Sequence, residues 1–226
     1  MSANSDSIFP LIRYLSRPMT GVLARLPVSA NQITAASLAV GLGAAWAAAQ
    51  ATQAWAVGAG ALMIAAYVLD NCDGEIARLK NQCSAFGMHF DTFVDWLVHS
   101  AFFWALGHGT AAATGQPFWN WLGLAAAIGG TVNYGIGLVL SARDRAASVT
   151  ARAPDGGAAA MDPQRPHNAW EWVLFALREL TRADFCFIIL ALGAFDVLWV
   201  LLPAGAVGAQ AYWMAAFIKR AREFHV

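Results

Sequence analysis

Long apolar runs separated by short polar segments make up most of this sequence. A helix that crosses a bilayer needs about 20 mostly apolar residues. Six runs come near this length. An aspartate directly follows the second run, and two aspartates lie near the start of the third. The runs are Ile33–Gln50, Trp55–Leu69, Phe90–Leu106, Trp119–Leu140, Phe185–Leu202 and Ala204–Ile218. The pattern predicts an all-α, polytopic membrane protein with six transmembrane helices.

The segment before the first run has a different pattern. Residues 8–27 mix apolar and polar positions and contain three prolines and three arginines. This is unlike the apolar core of a cleaved signal peptide, and it predicts an amphipathic helix that lies on the membrane interface. We therefore expect residues 1–226 to form a single membrane domain, with an interfacial helix at 8–27 and a six-helix bundle at 31–222.

Composition supports the membrane assignment. The chain is 58% hydrophobic and 12% charged, whereas an ordinary soluble domain is about 45–50% apolar and about 25% charged. So few charged residues leave too little polar surface for a soluble globule. The net charge is zero, which argues against nucleic acid as a partner.

The positions of the basic residues predict the orientation in the membrane. All lysines and arginines fall in the N-terminal segment, the loop after the second run, the loop after the fourth run and the C-terminal tail. The longest polar stretch, Ala142–Asn168, lies within the loop after the fourth run and contains two glycines and three prolines, which is typical of a loop. The opposite loops, near Ala51–Ala54, His108–Gln116 and Pro203, contain neither lysine nor arginine. The positive-inside rule then places both termini in the cytoplasm. We expect the membrane to be a prokaryotic inner membrane.

The three cysteines, Cys72, Cys83 and Cys186, lie near the predicted cytoplasmic side. None forms a C-x-x-C pair, and the cytoplasm is reducing. We expect no disulfide and interpret them as small packing residues.

Four aspartates form the most informative pattern in the sequence. Asp70 and Asp73 are three residues apart, and Asp91 and Asp95 are four apart. On helices both spacings put two carboxylates on one face. Leu79–Phe86 is long enough to reverse the chain, so we expect the third helix to run antiparallel beside the second. The four carboxylates would then meet at the cytoplasmic end of this helix pair.

Such a cluster needs positive charge. A charged aspartate costs about 2.5–3.5 kcal/mol at the centre of a spanning helix, and the carboxylates also repel one another. Bound divalent cations remove both costs, and all-oxygen ligands suit Mg²⁺, Mn²⁺ or Ca²⁺ better than zinc. The cluster therefore predicts a metal site.

Small residues between the aspartates indicate what the metal would hold. Gly74, Ala77 and Gly87 leave room for a bulky ligand to approach the helix backbone. Arg78 is placed to meet a phosphate oxygen. Metal, arginine and small residues together suggest a diphosphate donor.

The segment from Asp70 to Asp95 reads D-x2-D-G-x2-A-R-x8-G-x3-D-x3-D. It resembles the motif of the CDP-alcohol phosphotransferase (phosphatidyltransferase) family at every fixed position. Asn31–Thr34 is similar to the family's P-N-x-(I/V)-T segment, although Ser29-Ala30 replaces the usual Thr-Pro. Arg17-Pro18 resembles an earlier R-P pair, and six spans with cytoplasmic termini is also the family's plan.

The resemblance implies roles for these residues in a site with two Mg²⁺ or Mn²⁺ ions. The implied metal ligands are Asp70, Asp73, Asp91 and Asp95. Asp95 would also be the general base that deprotonates the acceptor hydroxyl. The implied nucleotide-binding residues are Asn31, Thr34, Asp73, Gly74, Ala77, Arg78 and Gly87.

The resemblance also implies the reaction. A phosphoalcohol group passes from a CDP-linked donor to an alcohol, CMP is released, and a phospholipid forms when the donor is the membrane lipid CDP-diacylglycerol. A soluble CDP-polyol such as CDP-inositol is an alternative donor. His99, Arg143 and Arg145 are candidates for binding the acceptor. The alternative interpretations are an ordinary interface histidine for His99 and membrane anchoring for the two arginines. We also expect a homodimer.

A different class of function would use the same carboxylates. A divalent-cation transporter needs polar or acidic residues along a continuous path to the other face. Beyond the cluster the sequence offers Asp196 and scattered groups such as Thr131 and Asn133. This is poor support for a crossing path.

Overall fold

The computed structural model describes residues 11–150 and 184–223, with side chains for 11–142, 184–211, 213 and 214. These residues form helices and turns without a strand, so the all-α prediction is confirmed. The α-helices are α1 Ile12–Leu23, α2 Ala30–Ala49, α3 Gln53–Leu79, α4 Ala85–Thr114, α5 Phe118–Thr150, α6 Phe185–Ala194 and α7 Leu201–Glu223. A short 3₁₀ helix at Leu198–Val200 precedes α7.

Three of the helices are long and apolar enough to cross a membrane: Ala30–Ala49, Gln53–Leu79 and Phe118–Ala142. Phe185–Ala194 and Leu198–Ala211 are shorter apolar helices. These helices indicate a membrane protein. The six-span topology stays a prediction.

The predicted fifth span, Phe185–Leu202, is wrong as a single helix. Helix α6 ends at Ala194, and Asp196 has a positive φ of 58°. Aspartate tolerates this left-handed conformation better than most residues, and it interrupts the helical path. Pro203, which the sequence placed in a loop, lies in the first turn of α7, where its missing N–H breaks no helical hydrogen bond.

The predicted loop Ala142–Asn168 is wrong in its first part. Helix α5 continues to Thr150, so residues 142–150 are helical, and residues 151–168 lie outside the described chain. The apolar run ends near Leu140, but helical hydrogen bonding does not depend on apolar side chains. Alanine and arginine, which are frequent after that point, favour helix.

Within the predicted interfacial segment, the structure describes helix α1. Ile12, Ser16 and Thr20 are buried at four-residue spacing, and this face packs on α3. Arg13 and Arg17 are exposed on the other face. The position of α1 on a membrane surface remains a prediction.

A buried aspartate that the sequence did not single out fixes the start of α1. Both carboxylate oxygens of Asp184 accept backbone hydrogen bonds, from Leu11 N at 2.8 Å and from Ile12 N at 2.9 Å. The first N–H groups of a helix lack partners within the helix. Asp184 supplies them from the segment that begins α6, across more than 170 residues of sequence.

Helix α2 packs on both α3 and α4. Six of its nine buried residues are alanine or glycine. A methyl group on Gly41 would lie only 2.6 Å from a Val98 side-chain carbon, so glycine is what allows α4 to approach this closely.

This arrangement corrects the expected pairing of the aspartate-bearing helices. Helices α3 and α4 run in opposite directions but hardly contact each other through their backbones, because both pack on α2 instead. The small side chains of α2 let it lie against both helices. A gap between the ends of α3 and α4 is left, and the aspartates face each other across it.

Candidate active site

Three of the four predicted metal ligands meet across the gap between α3 and α4. Asp70 and Asp73 lie near the end of α3, and Asp91 lies in the second turn of α4. One carboxylate oxygen from each lies within 4.8 Å of those from the other two. The sequence therefore identified side chains that the fold does bring together.

The separations suit a single hard cation. Two ligands on opposite sides of one Mg²⁺ are about 4.2 Å apart, since each bond is about 2.1 Å long, and Ca²⁺ ligands stand slightly farther apart. Carboxylate oxygens are the donors that Mg²⁺ and Mn²⁺ favour. By donor type and spacing, Asp70, Asp73 and Asp91 fit a divalent cation.

Helix α2 holds one of these carboxylates in place. Asp73 is only 6% exposed, and the Thr34 hydroxyl donates a hydrogen bond to its Oδ2. Thr34 is itself buried on the face of α2 that packs on α3 and α4. A threonine predicted to bind nucleotide thus also orients a predicted metal ligand.

A pocket of about 220 Å³ opens beside the carboxylates. All seven residues predicted to bind nucleotide line it: Asn31, Thr34, Asp73, Gly74, Ala77, Arg78 and Gly87. The sequence missed further lining residues, which are Ala30, Gln82, Cys83, Ser84 and Met88. These missed residues belong mainly to the connection between α3 and α4, which carries no recognisable spacing.

The two glycines form bare backbone in the wall of this pocket. A methyl group on Gly87 would lie 3.2 Å from both Asn31 Oδ1 and Ser84 Oγ, which is tight. A methyl group on Gly74 would lie 3.6 Å from the Arg78 guanidinium, an ordinary contact with a flexible side chain. The Arg78 guanidinium therefore lies beside the bare backbone of Gly74.

Hydrogen bonds to α2 and to the segment before it hold the connection between α3 and α4. Lys80 Nζ donates to the carbonyl oxygens of Leu26 at 2.7 Å and Val28 at 2.8 Å. Gln82 Oε1 accepts from Ala30 N at 2.9 Å. Lys80 is engaged in these hydrogen bonds and does not line the pocket. Arg78 is the one basic side chain among the described residues that do.

Two helix N-termini border the same pocket. Helix α2 begins with a capping box in which Ser29 and Gln32 each accept from the other's backbone N–H. Helix α4 is capped by Ser84, whose hydroxyl accepts from Gly87 N at 2.9 Å. Helix N-termini carry partial positive charge and favour anions such as phosphate. With Arg78, they give the pocket a positive side next to the carboxylates.

Asp95 lies outside the three-carboxylate group. Its Oδ1 is 3.1 Å from His99 Nδ1, and its side chain is 66% exposed. The other ring nitrogen, Nε2, is 2.7 Å from the Tyr67 hydroxyl. His99, a candidate acceptor residue, thus contacts Asp95, and Tyr67 joins the site from α3 without any signal in the sequence motif.

The two arginines and the three cysteines considered in the sequence remain to be placed. Arg143 and Arg145 belong to the last turns of α5, but their side chains lie outside the described part of the chain. Cys72 and Cys186 are buried, as packing residues should be, whereas Cys83 is exposed at the pocket. The three cysteines are free in the described part of the chain.

Comparisons with known proteins identify the family of this chain. A search of curated proteins finds no match. The family model for CDP-alcohol phosphatidyltransferase matches residues 27–217, most of the chain and the whole of the pocket described above. Members of that family transfer a phosphoalcohol group from a CDP-alcohol. Because the match covers most of the chain, the protein belongs to the CDP-alcohol phosphatidyltransferase family.

Proposed function

We propose that this protein transfers a phosphatidyl group from CDP-diacylglycerol to the hydroxyl of a small alcohol, releasing CMP, in phospholipid biosynthesis. The observation that carries the proposal is the pocket itself. Three carboxylates with the spacing of a cation site adjoin a cavity that has an arginine, bare glycine backbone and two helix N-termini.

Each part of the pocket has a place in this reaction. Asp70, Asp73 and Asp91 would hold Mg²⁺ or Mn²⁺, which would neutralise the diphosphate and the charge that develops on CMP as it leaves. Arg78 would bind a phosphate oxygen as a planar, permanently charged donor. Gly74 and Gly87 would admit the nucleotide to the backbone. A two-ion site with Asp95 as an additional ligand stays a prediction.

Asp95 is suited to act as the general base. It is the most accessible of the four carboxylates and stands outside the three-carboxylate group. The acceptor hydroxyl would give its proton to the Asp95 carboxylate, and the acceptor oxygen would form a bond to the phosphorus that carries the diacylglycerol. The bond from that phosphorus to the oxygen of CMP would break, and CMP would leave.

The surface around the pocket supports a lipid-linked donor. Met88 lines the pocket and is 55% exposed, while Leu79 and Phe86 nearby are 63% and 67% exposed. Large apolar side chains at the rim would contact acyl chains while the nucleotide enters the polar pocket. A soluble CDP-polyol would make no use of them.

The core beyond the cluster disfavours a cation transporter. From the carboxylates toward the far turns, the described core is apolar: Val94, Val98, Phe102 and Leu106 on α4 and Ala56, Ala59 and Met63 on α3 are buried. Asp196 lies exposed at the far turn. A path for a hydrated divalent cation through these described residues would lack ligands.

We further propose that both termini lie in the cytoplasm of an inner membrane and that the protein is a homodimer. The basic residues of the sequence support the orientation. Both proposals can be examined with the purified protein and with tagged termini in intact cells.

A direct assay tests the reaction. Purified protein with Mg²⁺ or Mn²⁺ is given CDP-diacylglycerol or CDP-inositol and a panel of alcohols, and CMP release is followed. We expect acceptor-dependent CMP release with CDP-diacylglycerol. CMP release with CDP-inositol but not with CDP-diacylglycerol would show that the donor is a soluble CDP-polyol. Cation flux in liposomes without CMP release from any donor would overturn the proposed function.

Replacing Gly74 with alanine should impair nucleotide binding without harming the fold. The new methyl group makes only an ordinary contact with Arg78, and alanine in a helix is more stable than glycine by about 0.5–1 kcal/mol. Inside the pocket the methyl group takes space from the ligand, which typically costs about 1–3 kcal/mol. We expect Kd for CDP to rise about tenfold or more.

Gly43→Ala is the matched control, because its methyl group would lie 3.9 Å from Leu62 in the helix bundle away from the pocket. Isothermal titration with CDP and Mg²⁺ measures the affinity, and thermal unfolding in detergent measures stability. Equal CDP affinity for Gly74→Ala and Gly43→Ala would place the nucleotide elsewhere.

A further inference from the structure

A chain of hydrogen bonds leads to Asp95 from a residue on the neighbouring helix. The Tyr67 hydroxyl of α3 lies 2.7 Å from His99 Nε2. On the other side of the ring, His99 Nδ1 lies 2.8 Å from the Asp95 carbonyl oxygen and 3.1 Å from Asp95 Oδ1. Neither Tyr67 nor His99 belongs to the three-carboxylate group or to the lining of the pocket.

The acceptors fix where the hydrogen atoms are. A backbone carbonyl oxygen can only accept, so His99 Nδ1 must carry a hydrogen and donate it toward Asp95. In the neutral ring Nε2 accepts from the Tyr67 hydroxyl, and in the charged ring Nε2 donates to the hydroxyl oxygen. In both states of the ring the Nδ1–H is directed to Asp95.

The ring of His99 is held on several sides. Tyr67 meets it edge-on with ring centroids 5.8 Å apart, and Phe185 of α6 packs against it at 6.2 Å. The His99 side chain is 29% exposed, whereas that of Asp95 is 66% exposed. The hydrogen-bonded series is therefore packed inside the helix bundle at Tyr67 and His99 and is accessible at the Asp95 carboxylate.

We propose that His99, anchored by Tyr67, is a positioning residue that holds the Asp95 carboxylate in one orientation for proton transfer. This rests on the proposed function, in which Asp95 is the general base. An exposed aspartate on a helix samples several rotamers, and a reacting group that is already oriented avoids that entropic cost during the reaction. The His99 Nδ1–H, which donates to the Asp95 carbonyl oxygen, also lies 3.1 Å from Asp95 Oδ1, and this contact with a packed ring would supply the orientation.

Substitutions separate this role from a structural one. We expect His99→Ala to lower kcat by about 10–100-fold, the range found when an orienting partner is removed, with KM for the donor unchanged. His99→Asn puts an amide N–H near the place of Nδ1–H and should recover much of the lost kcat. Tyr67→Phe should lower kcat less, and it should add nothing in the His99→Ala background, because the chain is already broken.

Two controls share the chemistry of these changes but not the location. His108→Ala removes an exposed histidine further along α4, and Tyr14→Phe removes an exposed hydroxyl on α1. Both should leave kcat at the wild-type value. If kcat of His99→Ala stays within about twofold of wild type, or if the effects of Tyr67→Phe and His99→Ala multiply as independent sites do, the positioning role is wrong.

A second measurement does not depend on turnover. In protein labelled with ¹⁵N-histidine, the His99 signal, assigned by its loss in His99→Asn, should show the hydrogen on Nδ1, and Tyr67→Phe should weaken that preference. A ring with its hydrogen on Nε2 and none on Nδ1 in the wild type would overturn the proposal. Failure of the proposed function is seen separately, as no CMP release by the wild type with any donor, and the ¹⁵N signal still decides whether His99 donates to Asp95.

Discussion

Replacing Asp95 with asparagine should lower kcat by about 10²–10⁴-fold, which is the usual contribution of a general base. Asparagine keeps the size of the side chain but cannot take the proton of the acceptor hydroxyl. Nucleotide binding should be retained, because Asp95 belongs neither to the pocket lining nor to the three-carboxylate group. The readouts are CMP release under saturating donor and titration with CDP and Mg²⁺.

Asp196→Asn provides the control for this prediction. It makes the same chemical change at an exposed aspartate in the turn between α6 and α7, and asparagine also tolerates a positive φ. Its kcat should equal that of the wild type. Normal turnover by Asp95→Asn would remove Asp95 as the base, and loss of CDP binding in that variant would show that Asp95 acts as a ligand instead.

Replacing Asp91 with asparagine should have opposite effects on stability and on metal binding. Without metal, the carboxylates of Asp70, Asp73 and Asp91 repel one another within 4.8 Å. Removing one charge reduces that repulsion, so the metal-free variant should unfold at a higher temperature than the metal-free wild type. Such a gain is common when a functional site is dismantled.

The same variant should lose the response to Mg²⁺ or Mn²⁺. A ligand at 100 times its Kd stabilises a protein by about 2.7 kcal/mol, so the wild type should gain thermal stability with metal and Asp91→Asn should not. Turnover should be lost as well. Glu75→Gln is the control, since it removes a charge close to Asp73 in sequence from a residue outside the three-carboxylate group. An equal metal response in wild type and Asp91→Asn would exclude Asp91 as a ligand.

The sequence predicted which side chains lie close together better than it predicted the topology around them. Helical spacing alone placed Asp70, Asp73 and Asp91 on faces that could meet, and the family motif added the residues that line the pocket. The residues from Asp70 to Asp91 do come together, because they lie within one segment joined by a short turn, whereas Asn31 and Thr34 reach the pocket from α2. Local geometry limits where such side chains can go.

The contacts that the sequence could not predict come from distant segments. Tyr67 reaches His99 across 32 residues, and Asp184 caps α1 across 172 residues. Nothing in the residues near either contact indicates the partner. The separation of α3 from α4 also depends on a different segment of the chain, because α2 packs against both helices.

Hydropathy also located helices better than it located their ends. Helix α3 continues past the apolar run to Leu79, and α5 continues to Thr150. Conversely, the apolar run from Phe185 to Leu202 contains a break at Asp196, where the backbone adopts a positive φ. Apolar character reports where a segment can be buried, whereas backbone dihedrals and capping decide where a helix ends.

Labelling of Cys83 tests most directly whether the carboxylates hold a cation that binds the nucleotide diphosphate. Cys83 is exposed and lines the pocket, while Cys72 and Cys186 are buried, so an alkylating reagent should modify Cys83 first. With CDP at ten times its Kd and Mg²⁺ present, we expect alkylation to slow about tenfold, because only unoccupied protein reacts. With EDTA, or in Asp91→Asn, CDP should give no protection. Protection that persists without metal, or that is equal in Asp91→Asn, would contradict a metal-held nucleotide at this site.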